Sequence, residues 1–147
     1  MKIGIANDHT GVEVKNQLKQ FLDQLGYEVI NYGTDQETSV DYPVYAFELC
    51  ESLLNGDIVH GILICKTGIG MSIAANKVKG IRCAKADTVE EAKLTRLHND
   101  SQVLALSALH DLELLKEICQ TFLETEFSHE DRHIRRIKLM EDYEDEC

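Results

Sequence analysis

The sequence predicts an α/β fold, a three-layer sandwich in which helices cover both faces of a five-stranded parallel sheet. Two observations carry that prediction. Short apolar runs alternate along the chain with stretches whose apolar residues recur at helical spacing. The central run, Ile62 to Ile64, closes on Cys65 and passes through a glycine turn into an Ala-rich stretch. With 147 residues, 44% of them hydrophobic, the chain is long enough for one domain with its own core, residues 1–147. No internal repeat, low-complexity block or linker divides it.

Residues 2 to 6 read as the first strand, followed by Asn7-Asp8-His9-Thr10-Gly11. Val14, Leu18, Phe21, Leu22 and Leu25 mark a helix that Gly26 ends. Tyr27 to Ile30 is the second strand, and a polar loop runs from Asn31 to Asp41. Pro43 suits the first turn of a helix, where its missing N–H costs nothing. That helix carries Tyr45, Ala46, Leu49, Leu53 and Leu54 and stops near Asn55-Gly56. After the central strand and its turn, Met71 to Lys77 forms a helix. Ile81 to Ala84 is the fourth strand. Thr88 caps a helix from Val89 to Leu97 with Glu91 as its capping-box partner, and His98-Asn99-Asp100 breaks it. Val103 to Leu106 is the fifth strand. Leu112, Leu115, Ile118, Cys119, Phe122 and Leu123 mark another amphipathic helix, and a last one runs from Asp131 to about Tyr143.

Composition removes several functions. No apolar run approaches the ~20 residues of a membrane span, and a strand beginning at Lys2 leaves no room for a signal peptide, so a cytoplasmic location is expected. The five cysteines form an odd set without a Cys-x-x-Cys pair, which predicts reduced thiols rather than a disulfide frame or zinc site. Cys50 and Cys119 fall on apolar helix faces, Cys147 is terminal, and Cys65 alone is placed for chemistry. A net charge of −11 argues against nucleic acid or an anionic membrane as partner. A small anionic substrate needs a local group of cations, and residues 132–138 (Arg-His-Ile-Arg-Arg-Ile-Lys) supply one.

Thr67, Gly68 and Gly70 between a strand and a helix bring backbone N–H groups and the positive end of a helix to one spot, which suits a phosphate or a transient oxyanion. The Walker pattern is absent, and Ile73 stands where a dinucleotide fingerprint needs its third glycine, so nucleotide binding is weakly supported. Ligands of such sheets bind beyond the carboxyl ends of the strands. Asp8-His9, Cys65–Thr67 and His98-Asn99 are therefore expected at one rim.

These residues resemble the type B ribose-5-phosphate isomerases and the related galactose- and allose-6-phosphate isomerases. The resemblance rests on Ile5–His9, Gly33-Thr34, Val40–Pro43, Cys65 to Lys77, Gly80–Arg82, His98–Asp100 and Arg132-His133, in the family's order along nearly the whole chain. It implies a Rossmann-like fold with a C-terminal helix exchanged across a homodimer, or a dimer of dimers, with sites shared between subunits. It also implies an aldose–ketose isomerase working without metal or cofactor. By resemblance, Cys65 is the base at C2, Thr67 and the Gly68, Gly70 and Ser72 turn hold the enediolate oxygen, and Asp8 and His98 assist ring opening. Tyr42 and Asn99 match sugar contacts; His9, Arg132 and Arg136 match phosphate contacts. Plainer roles stand beside these: Asp8 as a helix cap, His98 as a C-cap, Tyr42 as packing. His60, His110 and His129 match no functional position and read as surface residues.

The chain departs from the family pattern at four places. Lys66 replaces the usual glycine after the cysteine, and Leu109 stands where an arginine is common. Gln102 and Ser107 replace asparagine and glycine, and Glu130-Asp131 replaces a glycine pair. Ribose 5-phosphate is the expected substrate. A hexose 6-phosphate, or phosphosugar binding without catalysis, are the alternatives these departures raise.

Overall fold

The computed structural model describes residues 1–147. Five strands, β1 (Lys2–Asn7), β2 (Glu28–Asn31), β3 (His60–Cys65), β4 (Cys83–Lys85) and β5 (Val103–Ser107), form one parallel sheet in the order β2-β1-β3-β5-β4. Six helices cover it: α1 (Val12–Gln24), α2 (Tyr42–Leu54), α3 (Ile69–Asn76), α4 (Val89–Asn99), α5 (Leu112–Glu124) and α6 (Asp131–Asp145). No helix is long and apolar enough to cross a membrane.

Alternation along the strands divides the core in two. Ile3, Ile5, Ile62, Ile64, Leu104 and Leu106 pack with Leu18 and Leu22 of α1 and with Leu115, Ile118 and Phe122 of α5. Ala6, Leu63, Cys65, Val103 and Ala105 face Ala46 and Leu49 of α2 and Met71, Ala74 and Ala75 of α3. Small residues line this second face of the sheet, and the period-two pattern points the Cys65 side chain at α3 rather than α5.

Element boundaries differ from the sequence expectation where side chains replace backbone partners. Strand β4 begins at Cys83 rather than Ile81, because Ile81 N–H turns back to Val78 and Arg82 N–H donates to the Gln102 side chain at 2.7 Å. Helix α3 begins at Ile69, directly after the turn, and α4 continues through His98 and Asn99 until Asp100 adopts φ 45°. The Thr88 cap forms as predicted, its oxygen accepting the Glu91 amide at 3.1 Å, while the Glu91 carboxylate takes the Asp87 amide at 2.8 Å. Leu25 ends the apolar stripe of α1 exposed, as the residue that caps the helix.

Candidate active site

Strand order reverses between β1 and β3, and the crevice at their carboxyl ends carries the first group of site residues. Asn7 pairs with Ile64, and the Asp8 amide donates to the Ile64 carbonyl at 3.1 Å. Asp8 and Cys65 therefore leave the sheet side by side on neighbouring strands. The Cys65 sulfur accepts the amide hydrogen of Gly68 at 3.1 Å. Gly68 has φ 79°, and a Cβ there would lie 2.9 Å from the Leu106 carbonyl carbon, so both its conformation and its surroundings require glycine.

The rest of the turn supplies donors. Thr67 Oγ1 accepts the Ile69 amide at 3.2 Å, which leaves its own proton free. The Gly70 and Met71 amides have no intramolecular acceptor. Ser72 has no proton left to offer: its amide donates to Gly68 O at 3.1 Å and its hydroxyl to Ile69 O at 2.8 Å. Of the expected donors Thr67 and Gly70 remain free, since the Gly68 amide is taken by the Cys65 sulfur, and the Met71 amide joins them. The Tyr42 ring lies over Gly70, where a Cβ would come within 2.7 Å of it.

Asp8 does cap the short 3₁₀ turn His9–Gly11: one carboxylate oxygen accepts the Thr10 amide at 3.0 Å and the Thr10 hydroxyl at 2.6 Å. Its second oxygen has no intramolecular donor, so the cap does not exhaust the group. His9 Nδ1 accepts the Val40 amide at 3.3 Å, which assigns the ring proton to Nε2 and leaves that N–H to donate.

His98 and Asn99 are not at this rim. The Asn99 carbonyl accepts Arg82 Nε at 2.8 Å; Arg82 precedes β4, and the neighbouring Gln102 carbonyl accepts the Gly61 amide at the amino end of β3. A six-residue strand separates the two edges by about 20 Å. The expectation of a single rim is corrected by connectivity: a covering helix runs antiparallel to its strands, so its C-terminus returns to their amino ends.

At that far edge His98 stacks on His133 of α6, ring centroids 4.3 Å and planes 18° apart. Burial first, then His98 and Arg132, holds the His133 imidazole below its ordinary pKa. Its Nε2 lies 3.3 Å from Arg132 Nε and 3.3 Å from the Glu130 carboxylate. Arg132 Nη2 pairs with Glu130 at 3.0 Å, whereas Arg136 has no carboxylate partner. The site residues thus fall into two groups within one chain: Asp8, His9, Tyr42, Cys65, Thr67 and Gly70 at one edge, and His98, Asn99, Arg132 and Arg136 at the other.

The departures have structural counterparts. Ser107 Oγ donates to the Lys66 carbonyl at 2.7 Å and accepts the Leu109 amide at 3.2 Å, which links the turns after β3 and β5. Lys66 is exposed with no acidic partner, and Leu109 is 70% exposed. The Gln102 side chain bridges Arg82 N–H and, at 2.9 Å, the Gly80 carbonyl. His110, expected at the surface, pairs with Asp87 at 2.7 Å; Lys85 and then His110 hold that carboxyl below its usual range. His60, also expected at the surface, packs edge-on against Phe122 with centroids 5.5 Å apart. His129 is exposed as expected. Burial pushes the Cys50 and Cys119 thiols up to about 12, which suits core residues and not nucleophiles.

Comparison with known proteins places these features in a family. A family model described as Ribose/Galactose Isomerase matches residues 3–140. A Bacillus subtilis protein, provisionally named sugar phosphate isomerase YwlF, is 49% identical over 147 residues, 99% of this chain and 98% of that one. Ribose-5-phosphate isomerase B of Escherichia coli is 39% identical over 140 residues, 95% of this chain and 93% of its own. Among solved structures, ribose-5-phosphate isomerase B of Clostridium thermocellum superposes with a TM-score of 0.96 at 42% identity, covering 99% of both chains.

Proposed function

The chain belongs to the ribose/galactose isomerase family and is an aldose–ketose isomerase of sugar phosphates; on that premise we propose that it interconverts ribose 5-phosphate and ribulose 5-phosphate, with Cys65 as the proton-transferring base and two copies of the chain completing each site. Residues 1–147 act as one isomerase domain in this reading.

The reaction starts from the cyclic sugar. The free Asp8 oxygen and His98 exchange protons with the anomeric hydroxyl and the ring oxygen, which opens the ring. Cys65, as thiolate, takes the proton from C2, and the electron pair of that C–H bond becomes the C1–C2 double bond of the enediolate. The negative charge settles on the aldehyde oxygen, within reach of the Thr67 hydroxyl and the free amides of Gly70 and Met71. A proton passes from O2 to O1 and the proton on sulfur returns to C1, which leaves the carbonyl at C2, gives the ketose and restores the thiolate. His9 Nε2–H, Arg132 and Arg136 hold the phosphate, while Tyr42 and Asn99 hold sugar hydroxyls.

One observation carries the two-copy site: the residues needed for a single turnover lie at opposite edges of the same sheet. A two-fold axis brings the far edge of one copy to the near edge of another and builds two equivalent sites. Exposed Val44, Phe47, Ile69 and Ile73 on neighbouring α2 and α3 offer an apolar face for that contact. Helix α6 is held on its own subunit by Glu144, which accepts the Gly80 amide at 3.0 Å, and by the Lys79–Asp145 pair at 3.0 Å. Arg132 and Arg136 then reach the second copy as projections of a docked helix, and no full exchange of α6 is needed.

Lys66 and Leu109 favour one second reading, a hexose 6-phosphate as preferred substrate. Isomerisation of ribose, allose and galactose phosphates by the wild type and by Lys66→Gly tests both. Turnover of ribose 5-phosphate with the highest kcat/KM supports the proposal. Preference for a hexose phosphate, lost in Lys66→Gly, replaces it, and turnover of none of them would leave a phosphosugar-binding protein.

A further inference from the structure

Lys15 is the one lysine in the chain whose side chain has no exposed surface. An ammonium without water is kept only where fixed acceptors surround it. Here they belong to the last residue of β2 and to the segment that follows it. Nζ donates to the Thr34 carbonyl at 2.9 Å and to the Asp35 carboxylate, with Asn31 Oδ1 at 3.5 Å. Asn31 completes the bracket, donating to Asp35 at 3.0 Å and accepting the Gly33 amide at 2.9 Å.

The bracket reaches the site by two routes. The Thr34 carbonyl that Lys15 holds is shared with Asn7, whose Nδ2 donates to it at 3.0 Å and to the Asp8 carbonyl at 2.7 Å. The same segment ends at Val40, whose amide sets the His9 ring, and leads into Tyr42, whose ring lies over Gly70. Residues 33–41 form neither helix nor strand. Beside the Thr34 amide, which donates to the Asn7 carbonyl at 3.5 Å, these bonds hold them over the site.

We propose that Lys15 is a positioning residue of the isomerase: its buried ammonium fixes residues 33–41 and, through them, the binding groups His9 and Tyr42, without touching substrate itself. This rests on the function proposed above. Because the segment delivers binding groups rather than the base Cys65, its loosening acts on substrate affinity.

Full-length Lys15→Met, Lys15→Arg and Asp35→Asn are compared with wild type for kcat, KM, melting temperature and amide exchange across residues 33–41. Lys15→Met is expected to raise KM for ribose 5-phosphate about tenfold with kcat changed less than about threefold. Exchange in 33–41 accelerates, and Lys15→Arg recovers most of the loss. Should Lys15→Met not fold, Asp35→Asn, altered at an exposed partner, is expected to raise KM about threefold, with a melting temperature lowered by less than in Lys15→Arg because the Thr34 carbonyl still holds the ammonium. A lowered melting temperature with KM unchanged in every variant that folds would overturn the proposal. If wild type turns over no sugar phosphate, the functional reading fails separately. Inorganic phosphate then serves as probe: weaker thermal stabilisation by phosphate in Lys15→Met or Asp35→Asn supports the role, and equal stabilisation overturns it.

Discussion

The sulfur of Cys65 accepts the backbone N–H of Gly68 at 3.1 Å, so the turn that offers donors to a substrate oxygen also orients the thiol beside it. Replacing Cys65 with alanine removes the base and the acceptor of the Gly68 N–H, while the Thr67, Gly70 and Met71 donors do not depend on the sulfur. Cys65→Ala is expected to lower kcat about 10²- to 10⁴-fold with KM nearly unchanged, measured by steady-state isomerisation. An unchanged rate would take Cys65 out of the mechanism.

Separation of Cys65 from His98 predicts complementation between inactive variants. Cys65→Ala and His98→Ala each disable both sites of a homodimer, but a mixed dimer holds one intact site. Mixing them under conditions that exchange subunits should restore about a quarter of wild-type activity. No recovery, with mixed dimers demonstrated by mass spectrometry, would show that the site is built within one chain.

Glu130 occupies Arg132 at 3.0 Å, so in the proposed site a substrate phosphate competes with it. Both side chains are more than half exposed, so the pair is weak. Glu130→Gln is expected to lower KM about two- to fivefold at unchanged kcat. A rise in KM would mean that Glu130 orients Arg132 for the phosphate instead of masking it.

Stability should fall on acidification in two steps. His60, through burial and then Arg96, and His133 both titrate below their ordinary value in the folded chain. The unfolded chain therefore takes up protons first, and the stability these rings contribute is full above about pH 6.5 and is lost as pH falls toward their folded values. Asp35, held low by its Lys15 and Asn31 hydrogen bonds, and Asp87 add a contribution that is full above about pH 4 and lost below it. Melting temperatures between pH 8 and 3 check both steps: His133→Gln should flatten the first and Asp87→Asn the second. Unaltered profiles would remove these groups as the cause.

Local chemistry was legible in the residues alone. Short apolar runs located all five strands, and helical spacing, an Ala-rich stretch and a capping box located the helices, since those patterns reflect which side of an element meets the core. The Thr67–Gly70 turn and Cys65 could be read because strand, turn and helix are contiguous. The Thr88 cap could be read because its bonds span only a few residues. What the tertiary structure alone decided is where distant segments go. Helix direction sent His98 and Asn99 to the edge opposite Cys65. Lys15, an unremarkable position on α1, became a buried bracket because the chain after β2 returns across it. Ser72 was spent on its own helix by bonds that a motif does not display. Spacing along a chain records the neighbours a residue has in sequence, whereas burial, pairing and the side of the sheet depend on segments it meets only after folding.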